Sequence, residues 1–380
     1  MAQVLSGLAL RGHRVRAVGP TTPEDVAAGD PFSARHPELD VHRYVMPFLD
    51  TSPDAVKDDA YYDREAQLPV LVDRLVAERR PDLLIAGRES FLPYVARAAA
   101  AHELPFVAFA HGSLTHALVA GTYPRERTDS LLAHFREAAL VVVPAEHMAA
   151  SYAGLGVEGV HVVRNPVDLD RFRPRRRDDA LAAALGIGGS DIVVAHLSNL
   201  VDVKRPLDLA AAAAPALPRE PRLRFLVIGD GGMRSELESA CASAGVTDRF
   251  VFVDWVDFED VPSYLSLADI VVQPSSAEGQ ALVYLEAQAS GPALVASDIP
   301  AAREVVEDGA TGLLYPVGDT DRLADAILRA AADPALREAI GARARVAVAR
   351  HALPDVVVRH EELLYAVVPE RPGRSAAATV

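Results

Sequence analysis

Short, continuous apolar runs alternate along the chain with stretches whose apolar positions recur at helical spacing. Runs of the first kind predict strands over 13–18, 41–46, 83–86, 105–110, 137–144, 160–163, 191–197, 224–229, 250–254 and 269–274. Strands that read as unbroken apolar runs are those of a parallel sheet buried on both faces. Between them, Val4, Leu5, Leu8 and Ala9 mark a helix over 1–12 that Gly12 stops. Leu68, Leu71, Val72, Leu75 and Val76 mark another over 58–79, kinked or restarted at Pro69. Further helices are expected over 91–102, 147–155, 235–244, 281–290, 319–332, 335–350 and 354–365. Residues 112–128 read as a long functional loop and 171–179 as a solvated linker. The strand–helix alternation predicts an α/β chain with doubly wound parallel sheets.

Composition narrows the classes. A chain of 380 residues is long enough for two or three domains. The net charge of -15 argues against a nucleic-acid partner, and one cysteine, Cys241, excludes an intrachain disulfide framework and a cysteine-rich zinc site. There is no apolar run long enough to span a membrane, and Arg11, His13 and Arg14 interrupt any signal-peptide core, so a cytoplasmic location is expected.

The chemistry concentrates in Ser275-Ser276-Ala277-Glu278-Gly279-Gln280-Ala281-Leu282-Val283-Tyr284-Leu285-Glu286. It lies between an apolar strand and a helix closed by Gly291-Pro292. Ligands of open α/β sheets bind at that strand edge, and a helix start offers free N–H groups and partial positive charge to a diphosphate. Glu278 in the loop and Glu286 in the helix are carboxylates that need donors. Sugar hydroxyls supply them, so the residues read as a site for a nucleotide sugar.

Glu-x7-Glu after a strand, with Gly279 beside the first acid and Leu-Val-Tyr-Leu-Glu-Ala around the second, resembles the signature of family-4 retaining glycosyltransferases. The resemblance implies the GT-B fold, two Rossmann-like domains facing a cleft. It implies an acceptor domain over 1–168, a nucleotide-sugar domain over 169–352, a helix over 353–368 packing back on the first domain, and a disordered tail over 369–380. The family opens with a strand and a glycine-rich loop, whereas this sequence opens at the following helix. Either a segment precedes this sequence or the first domain lacks a central strand.

Further matches assign roles by resemblance. His111 stands where the family carries a histidine near the donor sugar, and Lys204 aligns with its diphosphate lysine. Asn199 replaces the usual arginine, with Arg205 as a possible substitute cation. Ser198-Asn199 with Val203-Lys204-Arg205 is also the form found in bacillithiol-pathway glycosyltransferases, which attach N-acetylglucosamine to malate. Glu286 would bind ribose; Glu278, Gly279 and Gln280 the sugar; Leu282 and Val283 N–H groups the diphosphate. Gln280 and Ala281 stand for the common Phe-Gly and would retune the sugar pocket, and Trp255-Val256 matches the base-reading segment. Arg164-Asn165-Pro166-Val167-Asp168 resembles the junction between domains.

Arg88, His116 and Tyr123 are acceptor-side candidates. No metal and no cofactor beyond the nucleotide-sugar co-substrate are expected. The implied reaction is retaining transfer from a UDP-hexose or UDP-N-acetylhexosamine to a small molecule or glycan. A sugar-nucleotide epimerase and a non-catalytic nucleotide-sugar binder remain alternatives.

Overall fold

The structure, a computed structural model, describes residues 1–21, 27, 29–45 and 67–368. The chain forms two compact units. One comprises Asn165–Ala352; the other takes the described residues up to Arg164 together with those from Leu353 onward.

In the first unit, β1 (Arg16–Thr21) and β2 (Asp40–Val45) pair in parallel as a sheet of their own. A second parallel sheet runs in the order β3 (Leu84–Ala86), β4 (Phe106–Phe109), β5 (Leu140–Val143), β6 (Val160–Val162). Both faces of β4 and β5 are buried, which is why they read as unbroken apolar runs. The helix Ala2–Leu10 buries Val4 and Leu8 against Val357 of the helix Leu353–Val367. The helix Gln67–Glu78 carries Pro69 near its described start, and residues 58–66 of the expected 58–79 helix lie outside the described residues, as do Met46 and the 369–380 tail.

Three sequence expectations need correction. Residues 112–128 are not a loop: the helix Ser113–Val119 fills the first half and the helix Arg125–Glu137 begins in the second. The first helix buries Leu118 and Thr115, whose hydroxyl donates to Tyr152 Oη at 3.1 Å; the second buries Leu131, Leu132 and Phe135. Residues 171–179 are not simply solvated. The Arg171 guanidinium lies 5.0 Å over the Phe258 ring, and Asp178 caps the helix Asp179–Ala184 by accepting the Leu181 N–H at 3.0 Å. Finally, Val167 and Asp168 belong to the second unit. The Val167 N–H donates to the His351 carbonyl at 2.8 Å, and Val167 bridges to Ala352.

In the second unit the strands β7 (Ile192–Leu197), β8 (Leu223–Ile228), β9 (Phe250–Val253), β10 (Ile270–Gln273), β11 (Ala293–Ser297) and β12 (Leu313–Tyr315) form one parallel sheet, ordered β12-β11-β10-β7-β8-β9. Neither β11 nor the three-residue β12 was among the strands expected from the sequence. Apolar clusters cover both faces, one around Phe225 and Leu237, the other around Tyr284 and Leu285. The direction of winding reverses between β7 and β10. That reversal opens a crevice at the carboxyl ends of these two strands. Among the described residues no helix is long and apolar enough to cross a membrane.

Candidate functional site

Loops leaving β7 and β10 meet at this crevice. The Gln273 side chain donates to the Leu197 carbonyl at 3.1 Å, and Ser276 donates to the Val203 carbonyl through its N–H at 2.8 Å and its hydroxyl at 3.2 Å. On the other side, the β7 loop lies directly on the turn after β8. Gly229 has φ 122° there, and a Cβ on it would sit 2.0 Å from the Ser198 carbonyl oxygen. A glycine is therefore required for the two backbones to touch. His196, 1 % exposed, anchors the loop from below. Its Nδ1–H donates to the Val272 carbonyl at 2.9 Å, so Nε2 accepts from the Ser198 hydroxyl at 2.7 Å. Burial lowers its pKa to about 4. Sequence reading missed His196, because nothing local separates it from its apolar strand.

Lys204 ends the short 3-10 turn Asp202–Lys204 and donates through Nζ to Glu278 Oε1 at 2.5 Å. Their side chains are 24 % and 10 % exposed, a partly desolvated ion pair within reach of a ligand. The helix Leu282–Ser290 starts beside them, with Ala281 at its N-cap and no side chain capping it. The first N–H groups, on Leu282 and Val283, are thus left for an external acceptor. Leu282 is 44 % exposed, while Val283 packs on the core. Glu286 is half-buried on the second turn. Desolvation raises its pKa to about 7, and among the described residues its carboxyl has no hydrogen-bond partner.

Other residues singled out from the sequence fall as follows. Asn199 is exposed at the β7 tip. Arg205, at φ 51°, turns back onto Asp208 and donates to both its carboxylate oxygens at 2.8 and 2.9 Å. Gly279, Gln280 and Ala281 are buried. Gln280 Oε1 accepts the Asn165 N–H at 2.6 Å, and its backbone carbonyl accepts from Asn165 Nδ2 at 3.0 Å. Gln280 Nε2 is left buried without a partner. Trp255, just past β9, is 72 % exposed, and Val256 packs on the core.

In the first unit His111 sits at the tip of β4. Its ring donates from Nε2 to the Gly87 carbonyl at 3.0 Å, which leaves Nδ1 as an acceptor. Burial lowers its pKa to about 4, so the ring is neutral at pH 7. Glu89, 4 % exposed, accepts the N–H groups of His111 and Gly112 at 3.0 and 3.3 Å. The sequence reading passed over Glu89 in favour of its neighbour. Arg88 and His116 are exposed, and Tyr123 packs on the unit's core.

Residues 178–347 match the family described as glycosyl transferases group 1, and residues 1–171 match glycosyltransferase family 4. The chain belongs to the group 1 glycosyltransferases. Relatives of this family member include a D-inositol 3-phosphate glycosyltransferase of Actinosynnema mirum, 36 % identical over 53 % of this chain and 50 % of that protein. An N-acetyl-alpha-D-glucosaminyl L-malate synthase of Bacillus anthracis is 30 % identical over 54 % of this chain and 53 % of its own. The chain spans about half the length of the curated relatives it matches. Among solved structures, Anabaena HepE in complex with UDP superposes with a TM-score of 0.78 at 21 % identity, covering 96 % of each chain. Sucrose-phosphate synthase from Thermosynechococcus elongatus gives 0.78 at 22 % identity, covering 96 % of this chain and 91 % of its own. The fold is GT-B, with two Rossmann-like domains.

Proposed function

We propose that this chain is a cytoplasmic, retaining glycosyltransferase. It moves a hexosyl or N-acetylhexosaminyl group from a UDP-sugar to a hydroxyl of a small-molecule or glycan acceptor. The observation that carries the reading is the Lys204–Glu278 pair at the sheet's reversal point, next to an uncapped helix start. A diphosphate at that helix start draws Lys204 toward its negative charge and leaves Glu278 to accept sugar hydroxyls. Glu286, lacking a partner among the described residues, accepts from ribose. As the sugar–phosphate bond breaks, charge grows on the leaving diphosphate, and Lys204 and the helix N–H groups stabilise it without a metal or organic cofactor. The acceptor proton passes to that phosphate on the face it leaves. His111 keeps a neutral Nδ1 as an acceptor for a ligand hydroxyl. The UDP bound in a structural neighbour and the small hydroxylated acceptors in the relatives' names support this choice.

One observation favours a second reading, a nucleotide-sugar binder without turnover: Asn199 brings no charge and Arg205 is held by Asp208. A thermal-shift panel of UDP-, GDP- and ADP-sugars, then mass spectrometry of cell extracts incubated with the best donor, separates the two. A UDP-sugar that raises the melting temperature and yields a glycosylated product is the expected result. Binding without product in any extract selects the binder, and no binding by any nucleotide sugar overturns both.

A further inference from the structure

Glu89 takes no part in the donor chemistry described above. It begins the 3-10 turn Glu89–Phe91, three residues past the end of β3, and is 4 % exposed. Its Oε1 accepts the N–H of His111 at 3.0 Å and of Gly112 at 3.3 Å. Those two peptide groups carry the chain off β4 and into the helix Ser113–Val119, where Gly112 has φ 104° and no N-cap side chain bonds the helix start. The His111 ring is gripped from the same turn, through Nε2–H to the Gly87 carbonyl at 3.0 Å. A stretch of three consecutive residues, 87–89, thus holds both the backbone and the ring of His111.

We infer that Glu89 is a positioning residue for His111, acting as a hydrogen-bond acceptor and not as a proton carrier; its catalytic meaning rests on the transferase reading above. A carboxyl this buried does not meet substrate. Desolvation raises the Glu89 pKa, and a carboxylate oxygen or the carbonyl oxygen of the acid accepts the two N–H bonds equally. An amide carbonyl can therefore replace it, whereas a methyl group cannot.

The test compares Glu89→Gln and Glu89→Ala in the full chain. Residue-resolved amide hydrogen exchange reads the contact without any need for activity. Glu89→Ala should lose about tenfold or more of the protection at His111 and Gly112, while Glu89→Gln keeps it. In transfer assays Glu89→Ala should lower kcat by at most about tenfold, no more than His111→Ala does, with UDP affinity unchanged, and Glu89→Gln should restore most of it. Adding His111→Ala to Glu89→Ala should cost no more than His111→Ala alone, because the two changes remove one function. Unchanged protection in Glu89→Ala overturns the inference. So does a Glu89→Gln variant as slow as Glu89→Ala, which would make the proton essential. If Glu89→Ala does not fold, Glu89→Gln still decides between acceptor and proton carrier. A wild-type chain that transfers from no nucleotide sugar removes the transferase reading, and the exchange comparison still decides whether Glu89 holds His111.

Discussion

His111 in the first unit and His196 in the second resemble each other closely until their hydrogen bonds are counted. Each lies at or next to the tip of a parallel strand, and burial holds each pKa near 4. His196 commits both ring nitrogens to the protein, one to Val272 and one to Ser198. His111 commits only Nε2, and among the described residues Nδ1 has no partner. Depth and a shifted pKa are common to both rings; unused hydrogen-bonding capacity is what sets His111 apart. A similar contrast separates Arg205, held by Asp208 through two hydrogen bonds, from Glu286, whose carboxyl has no partner among the described residues.

The sharpest way to break the comparison is to remove groups on either side of it. Lys204→Ala should lower turnover about a thousandfold while weakening UDP binding less than tenfold, since its charge matters most as the phosphate leaves. Steady-state kinetics beside calorimetry with UDP check this, and equal losses in both would place Lys204 in ground-state binding only. Glu286→Ala should weaken UDP by roughly ten- to a hundredfold, the range of a hydrogen bond to a charged group. An unchanged affinity would take ribose away from Glu286.

Smaller effects distinguish the histidines. His196→Ala should destabilise the second unit by about 2 kcal/mol, because it strands the buried Val272 carbonyl and leaves a cavity. His111→Ala should instead cost about tenfold in kcat with little change in melting temperature. The reverse pattern in melting scans and rate assays would refute the argument from hydrogen-bonding capacity.

The smallest predicted effect is a pH dependence. With the Glu286 pKa raised to about 7, a growing fraction is protonated as the pH falls below that value. Ribose hydroxyls donate best to the carboxylate, so UDP should bind more tightly as pH rises toward 7, by at most about tenfold per unit, and level off above it. Binding then lowers the carboxyl's pKa and releases a proton, which calorimetry in buffers of different ionisation enthalpy detects. Glu286→Gln should abolish that release; its persistence would point to another group.

The strand–loop–helix at 269–290 and the loop after β7 were legible because each is a local pattern: an apolar run, then turn residues, then helical spacing. Gly229 was legible only as a turn; that it must be glycine follows from the Ser198 carbonyl against it. The helices Ser113–Val119 and Arg125–Glu137 were missed because their buried faces are short, and Leu118 or Phe135 stands out only against a neighbouring core.

Residue order along the chain was enough to determine the two α/β units, the family, and the acids and lysine of the proposed donor site. It could not determine which of these groups touch. Lys204 and Glu278 are 74 residues apart, and Glu89 and His111 are 22 apart. They meet because β10 lies beside β7, and β4 beside β3. Strand order is a property of the folded sheet, set by packing over its whole surface, and it leaves no trace in the few residues around each side chain.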